Sequence, residues 1–105
     1  MAQDLTVLVF DFPNGAFGPE RTEALKTLAE DIAGQQGLLW KIWTEEPAAG
    51  RAGGVYLFET RAAAEAYHAM HARRLAARGV TDIEATYRGV NDALTRIDRG
   101  PIPAA

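Results

Sequence analysis

Two side chains able to move or hold a proton lie one helical turn apart in "AYHAMHARRLAARG", His71 and Arg74. At about 100° of rotation per residue, Ala63, Ala64, Tyr67, Met70, His71, Arg74 and Arg78 share one broad helix face. Its small and apolar members mark that face as the packed one, so His71 and Arg74 point inward. A histidine facing an aromatic pocket can take a proton from a phenol or an activated carbon acid. Molecular oxygen can then react with the electron-rich anion, the substrate itself acting as reductant. Arg74, whose charge is fixed, can hold the developing anionic oxygen. Both residues also have plain structural uses, His71 as a hydrogen-bonded core residue and Arg74 as a side chain snorkelling to a surface carboxylate.

Other constellations carry less. His68 and His71 are the only histidines, and their spacing is not that of HExxH. Glu65 or Glu59 would have to complete a two-histidine metal site, and His68 lies about 60° round the helix from His71. No metal is expected. Asn14, Gly15 and Gly18 suit a turn, or an anion held on free N–H groups. Glu45 and Glu46 are adjacent, so on a strand they point apart. With no cysteine in the chain, disulfides, thiolate zinc sites and iron–sulfur clusters are excluded. "AGRAGG" precedes a strand rather than opening a helix, and no phosphate loop or dinucleotide fingerprint can be assembled. No cofactor is expected.

The elements that position these residues follow from periodicity. "DLTVLVFDF" (4–12) is a strand ended by "PNGAFG". "PERTEALKTLAEDIAGQQG" places Leu25, Leu28, Ala29, Ile32 and Ala33 on one helical stripe, with Pro19 in the first turn and Gly34 and Gly37 at the exit. "GLLWKIWTEE" leaves no polar helical face, so it is a strand. Strict alternation puts Leu38, Trp40 and Ile42 on one side and Leu39, Lys41, Trp43 and Glu45 on the other. "GVYLFET" (54–60) returns as a hairpin partner. A helix from Arg61 to Gly79, a strand in "TDIEATYRGV" and a short helix capped by Asn91 complete the order. The result is an α+β, ferredoxin-like βαββαβ fold with a short C-terminal helix and a four-stranded antiparallel sheet. Residues 1–105 form a single domain with a tail at 99–105.

A sheet covered by helices on one side normally alternates apolar and polar residues. Here both faces are apolar. Leu5, Val7 and Val9 oppose Leu8, Phe10 and Phe12, Val55 and Leu57 oppose Tyr56 and Phe58, and each side carries a tryptophan. Burial of one such side chain is worth about 1.5–3 kcal/mol, so a second subunit laid sheet to sheet is expected, a homodimer. Trp40, among apolar neighbours, is assigned to the helix side, and Trp43, beside Lys41 and Glu45, to the dimer. Phe10, Trp40, Tyr56, Phe58 and Tyr67 are the aromatics expected to line a substrate pocket, with Trp43 and Tyr87 as further candidates, although a plain core would use the same residues. The net charge of −3 without a basic run argues against nucleic acid and anionic membranes as partners. A cytoplasmic location is the default for a start without a basic n-region.

"NGAFG", "GLLWKIWTEE", "AGGVYLF" and the series Tyr67, His71, Arg74, Leu75, Gly79-Val80 resemble the YdhR-like mono-oxygenases over about residues 5–98. These belong to the dimeric α+β barrel superfamily, which also holds the antibiotic-biosynthesis monooxygenases. The resemblance implies a homodimer whose sheets form a barrel, with a pocket between sheet and helices in each subunit. It also implies cofactor-independent oxygenation of an aromatic or polyphenolic small molecule. Two other readings remain open: a non-catalytic dimer that binds an apolar small molecule, and an RNA-binding module of the same element order. The second needs exposed aromatics in a basic surround.

Overall fold

The computed structural model describes residues 4–104. Its elements are β1 (Thr6–Pro13), α1 (Pro19–Ala24), α2 (Lys26–Ala33), β2 (Leu38–Glu46), β3 (Arg51–Phe58), α3 (Arg61–Ala77), β4 (Glu84–Gly89) and α4 (Asp92–Ile97). The sheet is antiparallel in the order β2-β3-β1-β4, the ferredoxin-like arrangement. The first helical segment expected as one rod is divided at Leu25. There the backbone N–H is shared between Arg21 O and Thr22 O, at 3.1 and 3.2 Å. Thr60 caps α3 by accepting from the Ala63 N–H, and Asn91 caps α4 by accepting from the Leu94 N–H.

The core lies between the helices and one sheet face. Leu8, Phe10, Tyr56 and Phe58 meet Ile32 of α2 and Ala64, Tyr67 and Leu75 of α3, with Tyr87 of β4 packed at the margin. Their rings form a continuous aromatic layer, with Phe10 edge-on to Tyr56 and Tyr67 at centroid distances of 5.8 and 6.1 Å. The Gly53-Gly54 pair allows this layer to close. A Cβ on Gly53 would stand 1.9 Å from the Phe10 carbonyl oxygen, so only glycine fits where β3 crosses β1.

The tryptophans occupy the faces opposite to those expected. Leu38 pairs with Phe58 and Trp40 with Leu57, leaving Leu39 as an extra residue in a β-bulge. One unpaired residue inverts the alternation of everything after it. Lys41 and Trp43, in register with Tyr56 and Gly54, therefore face the helices. Trp40 and Ile42 lie on the open face with Val7, Val9, Val55 and Leu57. The Trp40 Nε1–H donates to Pro101 O at 2.8 Å, which ties the segment after α4 to β2.

Candidate active site cleft

A cleft of about 590 Å³ opens between the helices and the far end of the sheet, within the range of small-molecule pockets. Phe12, Leu25, Leu28, Trp43, Leu75 and Val80 give it apolar walls, and Lys41, His71, Arg21 and Arg78 bring polar atoms into it. β1 and β2 supply the sheet side. The last turns of α3 supply His71, Leu75 and Arg78, and α1 and α2 roof it with Arg21, Leu25 and Leu28. The amphipathic stripe that packs α1 and α2 on the core is thus also what encloses the cleft.

His71 is only 3% exposed. Its ring stacks on Tyr67 at 5.0 Å and lies 5.4 Å from Phe10. Arg74 Nε and Nη2 approach His71 Nδ1 at 3.2 and 3.0 Å, while Nη1 of the same guanidinium donates to Asp31 Oδ2 of α2 at 2.6 Å. A guanidinium has donors and no acceptor, so Nδ1 must accept and the imidazole proton resides on Nε2. Nε2 has no protein hydrogen-bond partner among the described residues, and His71 lines the cleft. Burial, then the positive charge of Arg74, lowers the His71 pKa to about 3. The Arg74 hydrogen bond in turn holds the Asp31 carboxyl below the usual carboxylate range.

This geometry changes the chemistry expected of both residues. His71 was expected to take a proton, but its Nδ1 lone pair is engaged by a permanent cation, leaving a neutral ring that offers an N–H. Arg74 was expected to hold an anionic oxygen; it lies outside the cleft lining and directs its donors to His71 and Asp31. Its contacts fix the orientation of the His71 ring.

The expected pocket aromatics are also redistributed. Phe10, Tyr56 and Phe58 are at most 1% exposed and form the core behind His71, not the cleft wall. Tyr67 is likewise buried. Its hydroxyl lies 2.9 Å from that of Tyr56, and burial pushes its pKa up to about 12 and that of Tyr56 higher still. Both phenols are therefore neutral in ordinary buffers. Trp40 is on the other face of the sheet. His68 turns away from His71 and meets the Tyr87 hydroxyl at 2.7 Å; among the described residues no group of three metal-ligating side chains converges. Burial of Tyr56 and Phe58 also removes from the open face the aromatics that an RNA-binding reading requires.

One cleft residue, Lys41, was not singled out from the sequence. Trp43 was named as a possible pocket aromatic, but its polar neighbours assigned it to the dimer face. Lys41 was read only as its polar neighbour, although it faces the same side two residues earlier. Burial, then the charge of Arg74, lowers the Lys41 pKa to about 7.

The fold and the cleft together define a ferredoxin-like α+β domain with a cleft between sheet and helices. Residues 7–101 match the family described as "Putative mono-oxygenase ydhR", and the chain belongs to that family. A search of curated proteins returned no match. Among the described residues no helix is long and apolar enough to cross a membrane.

Because His71 is neutral in the folded protein down to about pH 3 and ordinarily titrates at 6.5, the unfolded chain binds more protons between those values. Folding stability from this group therefore rises with pH across that window, by at most about 1.4 kcal/mol per pH unit, and is lost as pH falls. The melting temperature should drop more steeply below pH 6.5 in the unmodified protein than in His71→Gln. Parallel profiles would contradict the buried neutral ring.

Proposed function

We propose that the protein is a cofactor-independent mono-oxygenase acting on a phenolic or polycyclic aromatic small molecule. The observation that carries this reading is His71, held as the Nε2–H tautomer by Arg74 and lining a cleft with apolar walls. A fixed neutral donor is suited to an oxygen that becomes anionic when the substrate loses a proton. Trp43 and Phe12 offer flat apolar walls for an aromatic ring.

The chemistry balances without an external reductant. The substrate carbon beside the phenolic system gives up a proton, and its carbanion adds dioxygen to form a carbon–oxygen bond. Loss of water from the hydroperoxide breaks the O–O bond and leaves a carbonyl. Two substrate hydrogens and one oxygen atom leave as water, and the other oxygen atom stays on the product.

The active form in this reading is a homodimer paired through the open sheet faces. Support comes from Val7, Val9, Val55 and Trp40 on that face and from Ile42, which is 56% exposed. Sedimentation should give twice the chain mass of 11.4 kDa for the unmodified protein and a single chain for Ile42→Asp. A monomer at micromolar concentration in the unmodified protein would remove the dimer.

The function is tested by oxygen uptake with a panel of dihydroxy-aromatics and anthrone-like carbon acids. At least one should be consumed, and His71→Ala should lower kcat/KM by about 10²-fold. If no compound is turned over and none raises the melting temperature, the reading fails. Saturable binding without product would identify a carrier instead.

A further inference from the structure

The Lys41 amine sits over two rings, with Nζ 3.2 Å from the Trp43 centroid and 4.8 Å from that of Tyr56. Among the described residues no carboxylate lies within ion-pair distance of it. Lys41 is partly buried, and a lysine drawn toward a protein interior commonly has such a partner. Its stem lies along the sheet because residue 54 has no side chain: a Cβ there would come within 2.5 Å of Lys41 Cε. Gly54 therefore gives the amine its place, as Gly53 gives β1 and β3 theirs.

The groups around Lys41 are mostly cationic or neutral. α3 contributes His71, Arg74 and Arg78, α1 contributes Arg21, and β3 contributes the neutral Tyr56 phenol. Glu45, on the same strand, is the carboxylate at the cleft. Two aromatic faces favour an ammonium, whereas burial and the neighbouring guanidinium favour the free amine. Burial, then the Arg74 charge, lowers the Lys41 pKa to about 7, so a share of it is unprotonated in neutral buffer.

We propose that Lys41 is the proton acceptor of the cleft: its free amine takes the hydroxyl or activated C–H proton of a bound phenolic ligand while the His71 Nε2–H donates to the oxygen that becomes anionic. The nitrogen lone pair forms the new N–H bond, and the electrons of the broken O–H or C–H bond remain on the ligand as its anion. The ammonium so formed offsets that anion, with Arg21 and Arg78 adding to the field. The ligand class that follows is weakly acidic phenols and their carbon-acid tautomers, which carry a proton for the amine to take. This inference rests on the oxygenase reading for its catalytic meaning, but proton transfer can be observed without turnover.

Lys26 and Lys41 are the only lysines in the chain, and Lys26 is exposed in a 2.8 Å pair with Glu23. Carbon-13 NMR of the lysine ε positions can therefore follow Lys41, assigned by its loss in Lys41→Met, with Lys26 as internal reference. Lys41 should titrate with a midpoint of about 7. One unit above that midpoint, added 2-naphthol should show its anion band on binding, and the Lys41 resonance should move to its ammonium position. Lys41→Met should give no anion band, and Gly54→Ala should reduce it at least about tenfold by displacing the stem. The proposal is overturned if Lys41 stays charged through neutrality, if naphthol binds without ionising or fails to bind, or if oxygen uptake is undiminished in Lys41→Met. Naphthol ionisation with no oxygen uptake from any phenol would instead remove the oxygenase reading and leave Lys41 as the proton acceptor.

Discussion

The guanidinium of Arg74 is the constraint on which the site depends. It joins α2 to α3 through Asp31 and His71, and its charge cannot be discharged by losing a proton at any working pH. The direction of the hydrogen-bond chain follows from that chemistry. A carboxylate behind an imidazole accepts from it and raises its basicity, as in hydrolase triads. A guanidinium donates to it and lowers its basicity. Asp31 is one step too far back to reverse the effect: it neutralises Arg74 in part without touching the ring. The same cation also disfavours the charged form of Lys41. Burial, with this one partly buried positive group added to it, thus shifts two neighbouring nitrogen bases toward their neutral forms.

That arrangement requires a rigid support. The aromatic layer of Phe10, Tyr56, Phe58 and Tyr67 fixes the His71 ring from behind. It can lie so close to the sheet because β3 carries two glycines where the strands need room. Gly53 permits the backbone approach to Phe10, and Gly54 permits Lys41 to lie flat. The "AGGVYLF" segment therefore serves the core and the cleft with adjacent residues. Tyr56 belongs to both, since it stacks on Phe58 in the core and also lies beneath the Lys41 amine.

Much of the fold was legible in the sequence because periodicity is a strong signal. The strands at Thr6–Pro13 and Arg51–Phe58, the helix at Arg61–Ala77 and the Asn91 cap all lie within one to three residues of expectation. Leu39 shows where legibility stops. A bulge has no periodic signature, and a single unpaired residue sends Trp40 and Trp43 to opposite sides from those that strict alternation gives. Spacing also showed that His71 and Arg74 would be neighbours facing inward, but not which would donate to which. Asp31, forty-three residues away, decides how Arg74 is turned, and no local pattern reveals it. Lys41 had a signal that alternation alone passed over: a lysine between tryptophans on a strand whose neighbour carries Gly-Gly has room to lie down rather than reach for water.

The central claim is that Arg74 holds His71 as a neutral ring with its proton on Nε2. Nitrogen-15 NMR of the two imidazoles between pH 4 and 8 tests it directly, with His68 as the other ring in the chain. The account predicts that His71 shows an unprotonated Nδ1 and a protonated Nε2 across that whole range, and that Arg74→Met releases this preference. A His71 ring that titrates near its ordinary 6.5, or that carries its proton on Nδ1, would contradict it.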